Sequence, residues 1–334
     1  MSAPVMPAEW ERHEATWLAW PHNVRDWPGK FGPIPWVYAE IVRRIVEGER
    51  VRLLVGSALL EAAARRALSQ AGVALDKIDF LRVPTDRVWT RDSGPVLVKR
   101  DGETCVAHFR FNAWAKYPDW KKDVKIPERA AKHLKAPLLD TGGVVMEGGA
   151  IDVNGQGALL ATEECLLDAE VQVRNPGFTR ADYERVFAQV LGVRETVWLG
   201  KGIAGDDTHG HVDDLARFVN ARTIVLCEEK NPADANYRLL NENRERLQST
   251  NHDVVPLPMP QPVVFKQQRL PASYANFYIC NAAVLVPTFD DPADFLALGT
   301  LQELFRDRQV VGIHCRDFVW GLGTLHCCSQ QEPA

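Results

Sequence analysis

Four times in this sequence two short apolar runs of β-forming residues flank a tight polar turn, and each time an amphipathic helical stretch follows. The hairpins run Val96–Val98 to Val106–Phe109 around Arg100-Asp101-Gly102, and Ala150–Val153 to Ala158–Ala161 around Asn154-Gly155. Two more run Leu215–Val219 to Thr223–Cys227 around Asn220-Ala221, and Phe277–Cys280 to Ala283–Pro287 around Asn281-Ala282. The helical stretches lie at about Ile126–Leu134, Arg180–Leu191, Ala233–Leu247 and Ala293–Phe305. The units recur roughly every 55 to 65 residues, as a repeated strand-strand-helix architecture does. Ahead of them stand a strand at Thr16–Trp20 ended by Pro21, a helix at Val37–Glu47, a strand at Val51–Val55 and a helix at Leu59–Gln70. No Gly/Ser/Pro linker divides the chain. The expectation is one closed α/β domain over residues 1–334, of about five strand-strand-helix units, with Pro256–Pro260 as a connecting loop.

Composition narrows the function. With 46% hydrophobic and 25% charged residues the 334-residue chain is ordinary for a globular protein. A net charge of -5 with no Lys/Arg run offers no face for nucleic acid, while a small cationic substrate is compatible with it. No apolar run approaches a membrane span, and the opening stretch Met1–Trp10 lacks the basic and apolar regions of a secretion signal, so a cytoplasmic protein is expected. The seven cysteines are odd in number and show no C-x-x-C spacing, against a disulfide framework or structural zinc site. Most sit in apolar strand text as small core residues. Five of the ten tryptophans, Trp10, Trp17, Trp20, Trp27 and Trp36, crowd into the first 36 residues, as packing anchors or as walls of a pocket.

Four stretches carry chemistry. In Asp86–Pro95 an aromatic, a cation and a carboxylate precede a Gly-Pro turn; Asp92 reads as a substrate contact or as the partner of Arg91. Met146-Glu147-Gly148-Gly149 places a carboxylate before two glycines that allow close backbone approach, unless Glu147 is a solvated loop residue. Asp206–Asp214 is the most polar run, and an extended backbone would put His211 and Asp213 on one face. Its His209-Gly210-His211-Val212-Asp213 also matches part of a zinc-hydrolase spacing, without the usual final His. Last, Gly321–Gln331 sets Cys327 and Cys328 beside His326 behind two glycines, as a reactive thiol or as a buried C-terminal strand. A thiolate nucleophile needs an imidazole, and the imidazole a carboxylate. Cys327, His211 and Glu147 fill those roles, which leaves Asp92 and Asp213 as paired acids suited to a guanidinium.

The motifs together carry a resemblance. Trp89–Pro95, Phe111-Asn112-Ala113-Trp114, Glu147-Gly148-Gly149, Thr162–Leu167, Gly210–Asp213, Ser273–Tyr278 and Gly321–Cys327, in that order, resemble the agmatine deiminase family, relatives of the bacterial peptidylarginine deiminase. The resemblance covers nearly the whole chain, from Met6–Trp10 to Gln331. It implies the pentein fold, a five-bladed α/β propeller with its site in a central channel, and a hydrolase with no metal or other cofactor. Carried over by motif, Cys327 is the nucleophile, His211 the acid/base, Glu147 its partner, and Asp92 and Asp213 the guanidinium clamp. Trp89 and Trp114 are aromatic positions along the substrate's tail. The substrate implied is agmatine, hydrolysed to N-carbamoylputrescine on the way to putrescine and other polyamines, with free or peptidyl arginine as the alternative. An alternative of another class is a non-catalytic pentein that only binds, and a homodimer is compatible with either. For agmatine speaks the scarcity of cations in these motifs: only Arg91 is available to an α-carboxylate, and Asp92 and Asp86 beside it are expected to occupy it. Three residues depart from the family pattern: His209, His314 and Cys328.

Overall fold

The structure, a computed structural model, describes residues 3–334; Met1 and Ser2 of the opening stretch lie outside it. Each hairpin expected from the sequence is present, and each is extended by a third strand that the sequence reading left out. Val96–Arg100 pairs antiparallel with Glu103–Arg110; the helix Ile126–Leu134 then leads back to Leu138–Val145, parallel to the middle strand. The same order recurs with Ile151–Val153, Ala158–Thr162, the helix Arg180–Leu191 and Glu195–Leu199. It recurs with Ala216–Phe218, Thr223–Glu228, Ala235–Gln248 and Asp253–Pro258. It recurs again with Tyr278–Ile279, Ala283–Thr288, Pro292–Leu304 and Gln309–His314. Parallel pairing requires a crossover, and the helix supplies it.

The fifth sheet is made from both ends of the chain. Gln330–Pro333 pairs antiparallel with His13–Ala19, which pairs parallel with Arg50–Leu54, which in turn pairs parallel with Ile78–Leu81. The helices Ile34–Ile45 and Ala58–Gln70 are its crossovers. This pairing draws the Cys327 loop against the first hundred residues. A separate two-stranded ribbon joins Val264–Phe265 to Gln268–Arg269.

Local chemistry explains these elements. Asn154 Oδ1 accepts the amides of Gln156 and Ala158, and Gly155 takes a left-handed φ of 68°, so the turn holds its hairpin in register. Thr179 with Asp182, and Asp291 with Asp294, form reciprocal caps that start two of the crossover helices. The expected loop at Pro256–Pro260 is corrected: Pro256 and Pro258 lie within the strand Asp253–Pro258. That strand is the edge of its sheet, and prolines two residues apart turn their missing N–H groups to the unpaired side. Of the early tryptophans, Trp17, Trp20 and Trp27 are core, whereas Trp36 is 52% exposed. No described helix is long and apolar enough to cross a membrane.

Candidate active site

The Cys327 loop is a series of turns and not the buried strand weighed above. A short 3-10 turn, Phe318–Gly321, is followed by Leu322 in the left-handed region at φ 67°, and regular pairing resumes only at Gln330. Gly323 packs closely here: a Cβ on it would lie 3.2 Å from Cys327 Sγ and 3.0 Å from the Trp89 ring, so either would have to give by a few tenths of an ångström. Asn276 fastens the loop. Its Oδ1 accepts from Thr324 Oγ1 at 2.7 Å and from His326 N at 3.1 Å, while its Nδ2 donates to Cys327 Sγ at 3.1 Å. Burial pushes the Cys327 thiol well above its ordinary pKa, and the carboxylates of Asp213, Asp214 and Asp92 push it the same way. Cys328 is turned elsewhere, its Sγ against Leu325 O, fully buried and pushed up to about 12 by burial.

Asp92 belongs to a single helical turn, Thr90–Ser93. Its Oδ2 accepts from Trp114 Nε1 at 3.0 Å and its Oδ1 from the Gly149 amide at 3.1 Å. Burial raises its pKa to about 7; His211 opposes that rise, and Asp213 and Glu147 add to it. Arg91 is not its partner, nor is Asp86 a partner of Arg91: that guanidinium turns inward to Glu9 Oε2 at 2.8 Å and Gln331 Oε1 at 2.7 Å.

The His211–Asp213 run is likewise not extended, since Val212–Asp214 form a 3-10 turn. That turn still brings the two side chains together, with His211 Nδ1 3.9 Å from Asp213 Oδ1 and 3.8 Å from Asp92 Oδ1. His211 Nε2 stands 3.7 Å from Glu147 Oε2. The His211 ring is fully buried, and neither of its nitrogens has a hydrogen-bond partner. Burial works against its protonation, yet Asp92, Cys165 and Glu147 together raise its pKa well above the ordinary value. Glu147 is no solvated loop acid. Burial tends to raise its pKa, but Arg174, at 3.2 Å, and His211 hold it down at about 2. Asp213 is oriented from behind: His326 Nδ1 meets its Oδ2 at 2.6 Å, and His326 Nε2 meets Glu9 Oε2 at 2.8 Å. Glu9 also receives Arg217 at 2.9 Å, so Arg91, Arg217 and His326 all meet this one buried carboxylate.

Gly149 is the point of convergence. A Cβ there would stand 2.6 Å from His211 Nδ1, 2.8 Å from Asp92 Oδ1 and 3.0 Å from Asp213 Oδ2. Cys327, Asp92, Trp89 and Trp114 line a cavity of about 310 Å³, while His211, Asp213 and Glu147 form the fully buried layer behind it. Arg25, Arg87, Asp26, Tyr117 and Asp119 complete much of the wall. The scarcity of cations inferred from the motifs is therefore corrected, since two arginines other than Arg91 reach this cavity.

The zinc-like spacing does not converge. His209 turns to Asp168, 2.8 Å away, and leaves His211 alone. Two other sets, Glu147 with Cys165 and His211, and Asp213 with Asp214 and Cys327, have potential ligand atoms within 4.8 Å of one another. Of the remaining departures, His314 is exposed beside Asp290.

Residues 5–333 match the family model described as Porphyromonas-type peptidyl-arginine deiminase. This chain belongs to that family. An agmatine deiminase of Pseudomonas fluorescens (strain SBW25) is 33% identical to it, the match covering 98% of this chain and 95% of the relative. The solved agmatine deiminase of C. jejuni with substrate bound superposes with a TM-score of 0.90 at 28% identity, covering 100% of this chain and 97% of that one. The Enterococcus faecalis agmatine deiminase also gives 0.90 at 28% identity, covering 99% and 96%.

Of the residues given a role by the resemblance, Cys327, Asp92, Trp89 and Trp114 line this cavity, and His211, Asp213 and Glu147 lie directly behind it. Glu9, Arg174, Asn276 and His326, which set those groups in place, were not singled out. Asn276 and His326 stood inside quoted motifs without a role. Arg174 lies in Val173-Arg174-Asn175, where nothing local distinguishes it from a surface arginine.

Proposed function

We propose that this protein is an agmatine deiminase, converting agmatine and water to N-carbamoylputrescine and ammonia. The observation that carries the reading is the placement of the Cys327 thiol and the Asp92 carboxylate in one cavity, with His211 and Asp213 immediately behind. The guanidinium lies between Asp92 and Asp213, where two carboxylates face a planar fork of N–H donors. Its positive charge favours loss of the Cys327 proton to solvent, and the thiolate Sγ then bonds to the guanidinium carbon as a C–N π bond gives its electron pair to nitrogen. His211, which holds its proton in the resting site, gives it to the departing nitrogen, and ammonia leaves behind an amidino-thioether. Neutral His211 then takes a proton from water and the hydroxide adds to the same carbon; the C–S bond breaks as the ureido C=O forms, and the hydroxyl proton passes to the departing sulfur, restoring the thiol. Glu147 holds the imidazole, and Asn276 Nδ2 donates to the sulfur.

We read the five similarly built sheets as the blades of one pentein propeller over residues 1–334, its last blade closed by the chain ends, with the site in the central channel. The free cysteines suit a reducing compartment such as the cytoplasm. No step calls for a metal. Arg25 and Arg87 are the observation that favours the alternative substrate, arginine, whose carboxylate they would meet. Agmatine is preferred because Arg87 is already engaged by Asp26 and Asp119. Assaying ammonia and ureido product from agmatine, free arginine and a C-terminal-arginine dipeptide tests the reading. Agmatine is expected to lead by about tenfold or more in kcat/KM; equal or better turnover of either arginine compound overturns the substrate, and no ammonia from any guanidine overturns the chemistry.

A further inference from the structure

The cavity holds a second cluster of charges that the deimination steps do not use. Asp26 sits in the turn before Trp27; Arg87 Nη1 donates to its Oδ1 at 2.8 Å, and Arg87 Nη2 donates to Asp119 Oδ1 at 2.9 Å. The arrangement is rigid. Asn23 Nδ2 donates to Asp86 O, Asp123 receives the amides of Asp86 and Arg87, and Arg87 lies over the Tyr117 ring at 4.2 Å. Trp27 is packed on Phe318 at 5.5 Å and donates to its carbonyl.

Each carboxylate lining the cavity has an occupation, except at one atom. Asp92 is taken by Trp114 and Gly149, Asp207 by Lys116 and Tyr117, and Asp119 by Arg87 and Arg25. Oδ2 of Asp26 is buried without a hydrogen-bond partner, although the residue is only 6% exposed. Arg87 faces two carboxylates, and Arg25, its side chain 77% exposed, is 3.6 Å from Asp119 and weakly coupled. The cluster therefore keeps one uncompensated acceptor in a low-dielectric wall, a costly arrangement unless something cationic fills it. Burial raises the Asp26 pKa to about 7, with Arg87 opposing the rise and Asp119 adding to it.

Trp89 links the two ends. One edge of its ring is within 3.0 Å of the Gly323 Cβ position beside Cys327 Sγ, and its ring centre is 5.6 Å from that of Trp27, the residue after Asp26. Cys327, Trp89 and Asp26 line the same cavity, so a linear aliphatic chain held by its guanidinium at the thiol has Trp89 beside it and Asp26 within the same walls.

We propose that Asp26 Oδ2, held in place by Arg87, receives the terminal ammonium of the substrate, and so makes Asp26 the residue that selects a guanidine bearing a second cation. The proposal rests on the deiminase reading above. Its test is kcat/KM for agmatine and for pentylguanidine, which replaces the terminal amine by a methyl group, in the parent protein and in Asp26→Asn. A charge-assisted hydrogen bond in such a site corresponds to roughly ten- to a hundredfold, so the parent should favour agmatine by about that factor and Asp26→Asn should bring the ratio near one, chiefly through KM. The parent measurement alone is decisive if the variant does not fold, because no preference for agmatine over pentylguanidine overturns the proposal. Equal losses on both substrates in Asp26→Asn, leaving the ratio unchanged, overturn it too. Failure of the parent to release ammonia from either compound would instead sink the deiminase reading, a separate result.

Discussion

Replacing Gly149 with alanine adds one methyl group where His211, Asp92 and Asp213 converge. The ideal Cβ lies 2.6 Å from His211 Nδ1, whereas ordinary contact begins near 3.4 Å, so the imidazole must retreat by about 0.8 Å and Asp92 Oδ1, at 2.8 Å, by about 0.6 Å. Neither has room: His211 is fully buried against Glu147, and Asp92 is tethered by Trp114 and by the Gly149 amide itself. Overpacking of this kind costs roughly 1–3 kcal/mol of stability. A displacement of about 1 Å in reacting groups costs on the order of a hundredfold in rate. Gly149→Ala is thus expected to melt a few degrees lower and to lose on the order of a hundredfold in kcat for ammonia release. The assay is kcat on protein shown by circular dichroism to be folded at the assay temperature. A kcat within about threefold of the parent would refute the claim that these three groups must hold their positions for turnover.

Cys327→Ser should abolish turnover while Cys328→Ser retains most of it, because only Cys327 lines the cavity and Cys328 points at Leu325 O; equal loss from both in folded protein would misassign the nucleophile. The pH profile follows from two protons that must leave. Asp92, raised to about 7, is protonated below that pH and cannot clamp a guanidinium, and the Cys327 thiol, raised well above its usual value, must also ionise. kcat/KM for agmatine should therefore climb about tenfold or more per unit between roughly pH 5 and 7, and a flat profile there would contradict this electrostatic picture. Chelation with EDTA should leave turnover unchanged; inactivation by chelator with recovery on added zinc would show that one of the Glu147/Cys165/His211 or Asp213/Asp214/Cys327 sets holds a metal that turnover needs.

The hairpins and crossover helices were legible in the sequence because each shows a clean period and a turn signal, such as Asn154-Gly155. The third strands were not, since they are edges with one wet side: Leu138 is 43% exposed, and Pro256 and Pro258 read as loop until pairing places them. Motif order pointed to Cys327, His211, Glu147, Asp92 and Asp213, which the fold brings together, but the extended backbone expected to put His211 and Asp213 on one face is a 3-10 turn, and the strand weighed at Cys327 is a turn held by Asn276. The supporting groups come from distant segments, Glu9 being 317 residues from the His326 it orients, and no window of sequence displays such a pair. Asp26 and Arg87 escaped notice for the same reason: 61 residues separate them, and only the folded cavity makes them neighbours.

The central claim is that Cys327 Sγ bonds to the guanidinium carbon of agmatine. Acid quenching during turnover, followed by digestion and mass spectrometry of the peptide carrying both C-terminal thiols, measures this directly. An amidino-thioether on Cys327, appearing with agmatine and decaying as N-carbamoylputrescine accumulates, is the predicted result. Full ammonia release with no adduct at any quench time, together with turnover by Cys327→Ser, would contradict it.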